Sequence, residues 1–369
     1  MLVKISLVLL VLYVAYRWYD RFDPGKCSVA YRWYDRFDPG KCSVAYRWYD
    51  RFDPGKCSVA YRWYDRFDPG KCSVAYRWYD RFDPGKCSVA YRWYDRFDPA
   101  MVKGKHVIVT GASTGIGEQI AYHYARMGAS VVVTARTEKK LQQVVKNCKE
   151  FGKGLGSSFH YVTADMERME ETKKVVDFAV DKFGGIDVLV LNHILPVAPN
   201  EWTGSSDNIT LHERVFKVNF FSYVRMYSYA MPIIEKAAGR VIVMSSVTGV
   251  VNFPLLATYG STKYAINGFF GNLQMELLSR KSPASITRCT IGLISTDNAI
   301  KFFRESKLGK NEAFVPIATP SDTALAVIKG GTLRETEVFY PVLVARFAST
   351  FPTFVSHMER FTGWLLNGE

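Results

Sequence analysis

Between His106 and Ala135 the chain reads as strand, glycine-rich turn, helix and strand again, and no other stretch restricts the fold so tightly. His106–Thr110 is a short apolar run, and Gly111-Ala112-Ser113-Thr114-Gly115-Ile116-Gly117 follows at once. Ile120, Tyr124 and Met127 then space apolar side chains along one side of a helix ending at Gly128, before a second run at Ser130–Ala135. Such a change of period and back describes a βαβ unit with its glycines at the first turn. Glycines there let backbone approach a pyrophosphate, and the helix N-terminus offers unpaired N–H groups with partial positive charge. The glycines are spaced GxxxGxG rather than GxGxxG. The end of the second strand selects the cofactor. An acidic residue would hold the 2′-hydroxyl of NAD, whereas Arg136-Thr137 supply a guanidinium fork and a hydroxyl suited to a 2′-phosphate, so NADP is expected.

Further strand-like runs at Phe159–Thr163, Asp187–Leu191, Arg240–Met244 and Ser285–Ile291 alternate with amphipathic stretches. The alternation implies an α/β fold, a parallel sheet with helices on both faces. Ligand sites in such sheets lie beyond the carboxyl ends of the strands. Polar residues gather there: Asp165 after the third strand, Asn192-His193 after the fourth, Ser245-Ser246 after the fifth and Ser295-Thr296 after the sixth.

Thr258-Tyr259-Gly260-Ser261-Thr262-Lys263 opens a helix and puts Tyr259 and Lys263 four residues apart, on one face. A free phenol, with a pKa of about 10, is a poor base at neutral pH. An ammonium about 4 Å away, at an effective dielectric near 20, would favour the phenolate by up to roughly 4 kcal/mol, or about three pH units. That would bring Tyr259 into range as a general acid/base. Ser246, thirteen residues upstream at a strand end, can hold a substrate oxygen, and Asn219 is a fourth polar group in an otherwise apolar helical stretch.

TGASTGIG, VNFFSYV, VMSS and YGSTK together resemble the short-chain dehydrogenase/reductase family, from about Lys103 to Tyr340. GASTGIGEQIAYHYARMGASVVVTAR, LNHI in place of the commoner NNAG, and YGSTKYAINGFF are similar to the 11β-hydroxysteroid dehydrogenase type 1 group, and FDPA and YHYAR to its 1-like branch. The resemblance implies a single catalytic domain on a Rossmann-type, doubly wound parallel sheet, with Asn219, Ser246, Tyr259 and Lys263 as catalytic tetrad. It implies NADP contacts from Gly111, Ser113, Thr114, Gly115, Ile116, Gly117, Arg136, Thr137, Asp165, Met166, Asn192, His193, Ile194, Tyr259, Lys263, Ile294, Ser295, Thr296 and Asn298, and no metal. Lys263 would also hold the nicotinamide ribose, Asn219 would anchor a water in a proton relay, and Ser246 and Tyr259 would meet the substrate. The implied substrate is a hydroxysteroid, with 11β-hydroxy/11-keto glucocorticoid interconversion as the reaction. The same fold would also serve a carbonyl or retinoid reductase, and a non-catalytic NADP-binding scaffold is the rival from another class. The chain departs from the resemblance at Thr114, where the type 1 enzyme has a basic residue. The Pro-Gly general in the family is Ile291-Gly292 here, as in the type 1 group, which also lacks that Pro.

Outside this domain, assigned to residues 100–341, the sequence is unusual. The block AYRWYDRFDPGKCSV begins at Ala15 and recurs without substitution at Ala30, Ala45, Ala60 and Ala75, with a truncated copy from Ala90 to Pro99. Five copies take up 75 of the 369 residues, five of the seven Cys and five of the formal +13 charges. What is left, 294 residues with only Cys148 and Cys289, excludes a disulfide scaffold and a CxxC zinc site. The apolar content, 48% of the chain, excludes intrinsic disorder for the body. Basic residues beyond the repeats are dispersed and carry no recognition motif, so nucleic acid is not an expected partner. Each block has an Asp-Pro-Gly turn signal, and a strand–turn array is conceivable, but true solenoids diverge at their capping ends and these copies do not. A recent in-frame expansion or assembly error without function is expected over 15–99, an interaction stalk being the alternative.

Lys4 precedes an apolar run from Ile5 to Tyr16 broken by Ser6, short against the 20 or so residues of a bilayer span. With Ala15 at −1, Tyr13 would stand at −3, too bulky for signal cleavage. An uncleaved signal-anchor over 1–16 is therefore expected, with a cleaved signal second and a buried core helix third. The sequon Asn208-Ile209-Thr210 suits a body facing the endoplasmic reticulum lumen, or a secreted one, without deciding for either. Phe347, Phe351, Phe354, Phe361, Trp364 and Leu365 make the tail at 342–369 strongly apolar, and with Ala299–Phe314 it is the expected wall for a steroid, a dimer contact or a membrane contact. A homodimer is expected.

Overall fold

The computed structural model describes residues 97–296, 300 and 317–341. The expectations for 1–16, for the repeats up to Arg96, for Asn298, for Ala299–Phe314 apart from residue 300 and for the tail at 342–369 lie outside the described residues. No helix among those described is long and apolar enough to cross a membrane.

Seven strands form one parallel sheet, β1 His106–Thr110, β2 Ser130–Ala135, β3 Phe159–Thr163, β4 Val188–Leu191, β5 Arg240–Ser246, β6 Ser285–Ile291 and β7 Glu337–Tyr340. Their order is β3-β2-β1-β4-β5-β6-β7. The chain winds outward from β1 to β3, then crosses back to place β4 on the other side of β1, opening a crevice at the carboxyl ends of β1 and β4. Among the described residues seven helices flank the sheet: α1 Gly115–Arg126, α2 Glu138–Phe151, α3 Met169–Phe183, α4 Ser206–Phe216, α5 Ser222–Lys236, α6 Ala257–Ser279 and α7 Pro320–Thr332.

Strand side chains alternate between two cores, as the two-residue period requires. Val107, Val109, Val188, Val190, Ile242 and Met244 pack with Ile120 and Tyr124 of α1, Leu141 and Val144 of α2, and Val327 and Ile328 of α7. The intervening Ile108, Leu189, Leu191, Val241 and Val243 pack with Val175 of α3, Tyr223, Met226 and Ile234 of α5, and Ile266 and Phe270 of α6. Burial on both faces explains why these strands are continuous apolar runs rather than alternating ones.

The structure differs from the sequence expectation at two strand boundaries and by one additional strand. Asp187 stands ahead of β4, where its carboxylate accepts from Lys105 Nζ and from the His106 N–H, both at 2.9 Å, and ties the start of β1 to the start of β4. β5 runs two residues further than expected, pairing Ser245 and Ser246 with Thr290 and Ile291 of β6. β7 has no counterpart in the reading of the sequence. It closes the sheet beside β6, where Glu337 pairs with Arg288.

Candidate active site

Thr110, the last residue of β1, organises the floor of the crevice. Its Oγ1 donates to the Val190 carbonyl at 3.1 Å and accepts from the N–H groups of Asn192 and His193 at 2.8 and 3.2 Å. The Asn192 amide donates to the carbonyls of Thr110 and Gly111 at 2.9 and 3.2 Å, bracing the glycine turn against β4. This approach leaves no room for side chains. A Cβ on Gly111, whose φ is +63°, would lie 2.7 Å from His193 Cα, and one on Gly117 would lie 2.5 Å from Asn192 Nδ2.

His193 is built into the same floor. Its Nδ1 lies 2.9 Å from Thr110 Oγ1 and its Nε2 2.6 Å from Ser222 Oγ, while Tyr223 Oη donates to its carbonyl at 2.8 Å. Burial, and secondly the Lys263 charge, hold the imidazole down to about 3, so the ring is neutral. Sequence places His193 among the cofactor contacts. The structure occupies both ring nitrogens with scaffold hydroxyls, and its neighbour Ile194 is the exposed residue, at 43%.

The glycine turn delivers the N-terminus of α1 to the crevice. Thr114 is its cap residue, yet the threonine side chain makes no capping hydrogen bond. Across from Thr114 and Gly115 stand Ser295 and Thr296, with Pro320 beside them, around a cleft of about 260 Å³. Ser295 is fixed by its N–H and Oγ donating to the Ala318 carbonyl at 2.8 and 3.1 Å, and Ile294 is buried. An uncapped helix start facing a polar cleft fits the phosphates of a dinucleotide. Arg136 and Thr137, exposed at the end of β2, have no ion pair among the described residues. On the third strand's loop, Asp165 accepts from the Glu167 N–H at 3.1 Å and Met166 is buried.

The other four polar residues meet beyond β4 and β5. Ser246 ends β5, accepts from the Thr248 N–H at 3.2 Å, and is hydrogen-bonded to Tyr259 in the first turn of α6. Lys263, one turn further, is almost fully buried. Its Nζ donates to the Met244 carbonyl at 3.0 Å and lies 5.6 Å from the centre of the Tyr259 ring. Asn219 is fully buried in Lys217–Phe221, a single π-helical turn between α4 and α5 rather than regular helix. Its Oδ1 accepts from the Leu195 N–H at 2.6 Å and its Nδ2 donates to the Leu195 carbonyl at 3.3 Å, clamping the segment that leaves β4. Widened turns of this type concentrate at functional sites.

The electrostatics correct one expectation. Burial pushes the Tyr259 phenol up to about 12, against the downward pull of its Ser246 hydrogen bond. Burial lowers the Lys263 amine to about 7. The amine is turned to a backbone carbonyl, and both ionic forms lose hydration together, so the acidified phenol expected from the i, i+4 spacing is not realised in the protein alone. Two residues of this site escaped the sequence. Thr110 carries no signal beyond being the last residue of a strand, and Lys140, which also lines the cleft, belongs to no motif.

The short chain dehydrogenase family model matches residues 105–307, more than half the chain. The chain belongs to the short-chain dehydrogenase family. It is 45% identical over 243 residues to the hydroxysteroid 11-beta-dehydrogenase 1-like protein of Danio rerio, covering 65% of this chain and 79% of that protein. The protein of the same name from Gallus gallus is 45% identical over 242 residues, with the same coverage. Among solved structures, a short chain dehydrogenase from Salmonella enterica superposes with a TM-score of 0.57 at 22% identity, covering 66% of this chain and 98% of that one. Carveol dehydrogenase from Mycobacterium avium, solved in complex with NAD, gives 0.58 at 18%, covering 65% and 97%. This short-chain dehydrogenase is accordingly an oxidoreductase on a Rossmann-type sheet, as the resemblance in the sequence implied.

Proposed function

We propose that this protein interconverts a hydroxyl and a carbonyl on a hydroxysteroid with NADP(H), the 11β-hydroxy/11-keto glucocorticoid pair being the reaction tested first. The observation that carries the chemistry is the Ser246–Tyr259 hydrogen bond at the end of β5, with Lys263 buried one turn along. The substrate class rests on similarity to the hydroxysteroid dehydrogenase-like proteins. NADP rests on Arg136 and Thr137, free of acidic partners among the described residues.

The glycine turn and Ser295–Thr296 would hold the dinucleotide, which when bound would supply or accept the hydride. The remaining work belongs to the chain. Ser246 donates a hydrogen bond to the substrate oxygen and fixes it beside Tyr259. With its phenol held up to about 12, Tyr259 keeps its proton at neutral pH and delivers it to the oxygen of a carbonyl being reduced. In the opposite direction the same phenol oxygen receives the hydroxyl proton. Asn219 holds the Leu195 segment, and the low-dielectric setting that lowers the Lys263 amine to about 7 also strengthens each of these hydrogen bonds.

The proposal extends to a homodimer anchored by the N-terminus in the endoplasmic reticulum membrane and facing the lumen. Its supports are the apolar run Ile5–Tyr16, the sequon at Asn208, and the exposed apolar side chains of Met275, Leu278 and Phe221. The test is turnover of 11-keto and 11β-hydroxy steroids with NADPH and NADP+. Tyr259→Phe is expected to lower kcat about a hundredfold or more in a protein that still binds the cofactor. Cofactor binding without turnover on steroid, retinoid and simple carbonyl panels would overturn the enzymatic reading in favour of a scaffold.

A further inference from the structure

Among the described residues Lys140 is the one cation on the wall of the cleft above α1, where it stands with Thr114 and Gly115. It occupies the third position of α2, which begins directly after Arg136 and Thr137. Lys140 therefore connects the cleft at the phosphate-facing glycine turn to the helix that follows Arg136, which itself does not line that cleft.

The acidic side chains that could neutralise this corner are engaged elsewhere. Glu138 accepts from Tyr161 Oη at 3.0 Å and from Gln142 Nε2 at 3.4 Å, and Glu118, on the cleft wall itself, accepts from Tyr122 Oη at 2.7 Å. Neither pairs with Lys140, and Lys140 and Arg136 have no ion pair among the described residues. A phosphate monoester carries about −1.5 to −2 charges at neutral pH, more than one guanidinium balances. The rest of the cleft lining adds no positive charge: Thr114, Gly115, Gln119, Ser295, Thr296 and Pro320 are neutral and Glu118 is acidic. A lysine on its flexible stem delivers a point charge to such a group, and the start of α2 adds a partial one.

We propose that Lys140 is a cofactor-specificity residue, the second cation that binds the 2′-phosphate of NADP together with Arg136. This rests on the NADP reading above. The experiment is calorimetric titration of the full-length protein with NADP+ and with NAD+, without substrate. Lys140→Ala is expected to weaken NADP+ about fivefold with NAD+ changed by less than about twofold, an effect that shrinks in 0.5 M salt. Lys139→Ala, one position away and off the cleft wall, changes neither affinity by more than about twofold. Adding Thr114→Lys to Lys140→Ala restores the NADP+ affinity from another position on the same cleft. Equal loss for both cofactors, or loss for neither, overturns the proposal. If Arg136→Ala removes the discrimination and Lys140→Ala does not, the NADP reading stands and the role of Lys140 falls. If the unaltered protein binds NAD+ as tightly as NADP+, the NADP reading falls and this assignment with it.

Discussion

Lys263 concentrates the tension of the site in one side chain. An amine among the largest fully buried groups, facing a single carbonyl, is held down to about 7 by lost hydration. In the unfolded chain it returns to the ordinary lysine value near 10.4. Between those two values the unfolded state carries a proton that the folded state has released, so stability rises with pH across that window. Measured against Lys263→Met by thermal unfolding of the cofactor-free protein, the wild type is expected to gain up to about 4 kcal/mol from pH 7 to pH 10.5, and nothing below pH 6. Parallel stability curves for the two proteins would show that the amine is hydrated after all. The i, i+4 spacing made Tyr259 and Lys263 legible as a pair, because helix geometry alone puts them on one face. The direction of the amine was not legible, since it depends on where the Met244 carbonyl of β5 lies, a contact nineteen positions away in the chain.

At the scale of elements, the turn from β1 into α1 is set by how closely two strand ends approach. Gly117→Ala would push a methyl group to 2.5 Å from both Asn192 Nδ2 and the Gly111 carbonyl. Overpacking of this kind costs about 1–3 kcal/mol, and here the displaced atoms are the brace of the glycine turn. The expected result is a lower melting temperature together with weakened dinucleotide binding by calorimetry. A fall in stability alone would mean that the brace and the binding turn are independent. Elements buried on both faces were readable as Val-rich runs, and β1, β2, β3 and β6 begin and end where the sequence put them. β7 was not, because Glu337-Val338-Phe339-Tyr340 is a four-residue edge strand whose identity comes from pairing with β6. Nor was the π-turn at Asn219 readable, since one extra residue per turn leaves no trace in hydrophobic spacing.

For the whole molecule, the informative division falls near Arg96. The chain separates into one unit ending there and another beginning at Phe97, and every residue assigned to chemistry or cofactor lies in the second. Deleting residues 15–89, the five complete blocks, is expected to leave the melting temperature, NADP+ affinity and kcat unchanged within error. A loss of any of the three on deletion would give the repeats a role in the enzyme itself.

The imidazole beneath the crevice has a consequence for acid tolerance. With His193 kept uncharged down to about pH 3 between Thr110 and Ser222, mild acid has no local handle on the seam where β1, β4 and α5 meet. Protons reach that ring by way of the unfolded chain, so this seam yields to acid only with the fold itself, whereas Lys263, held down to about 7, takes up its proton inside the folded site.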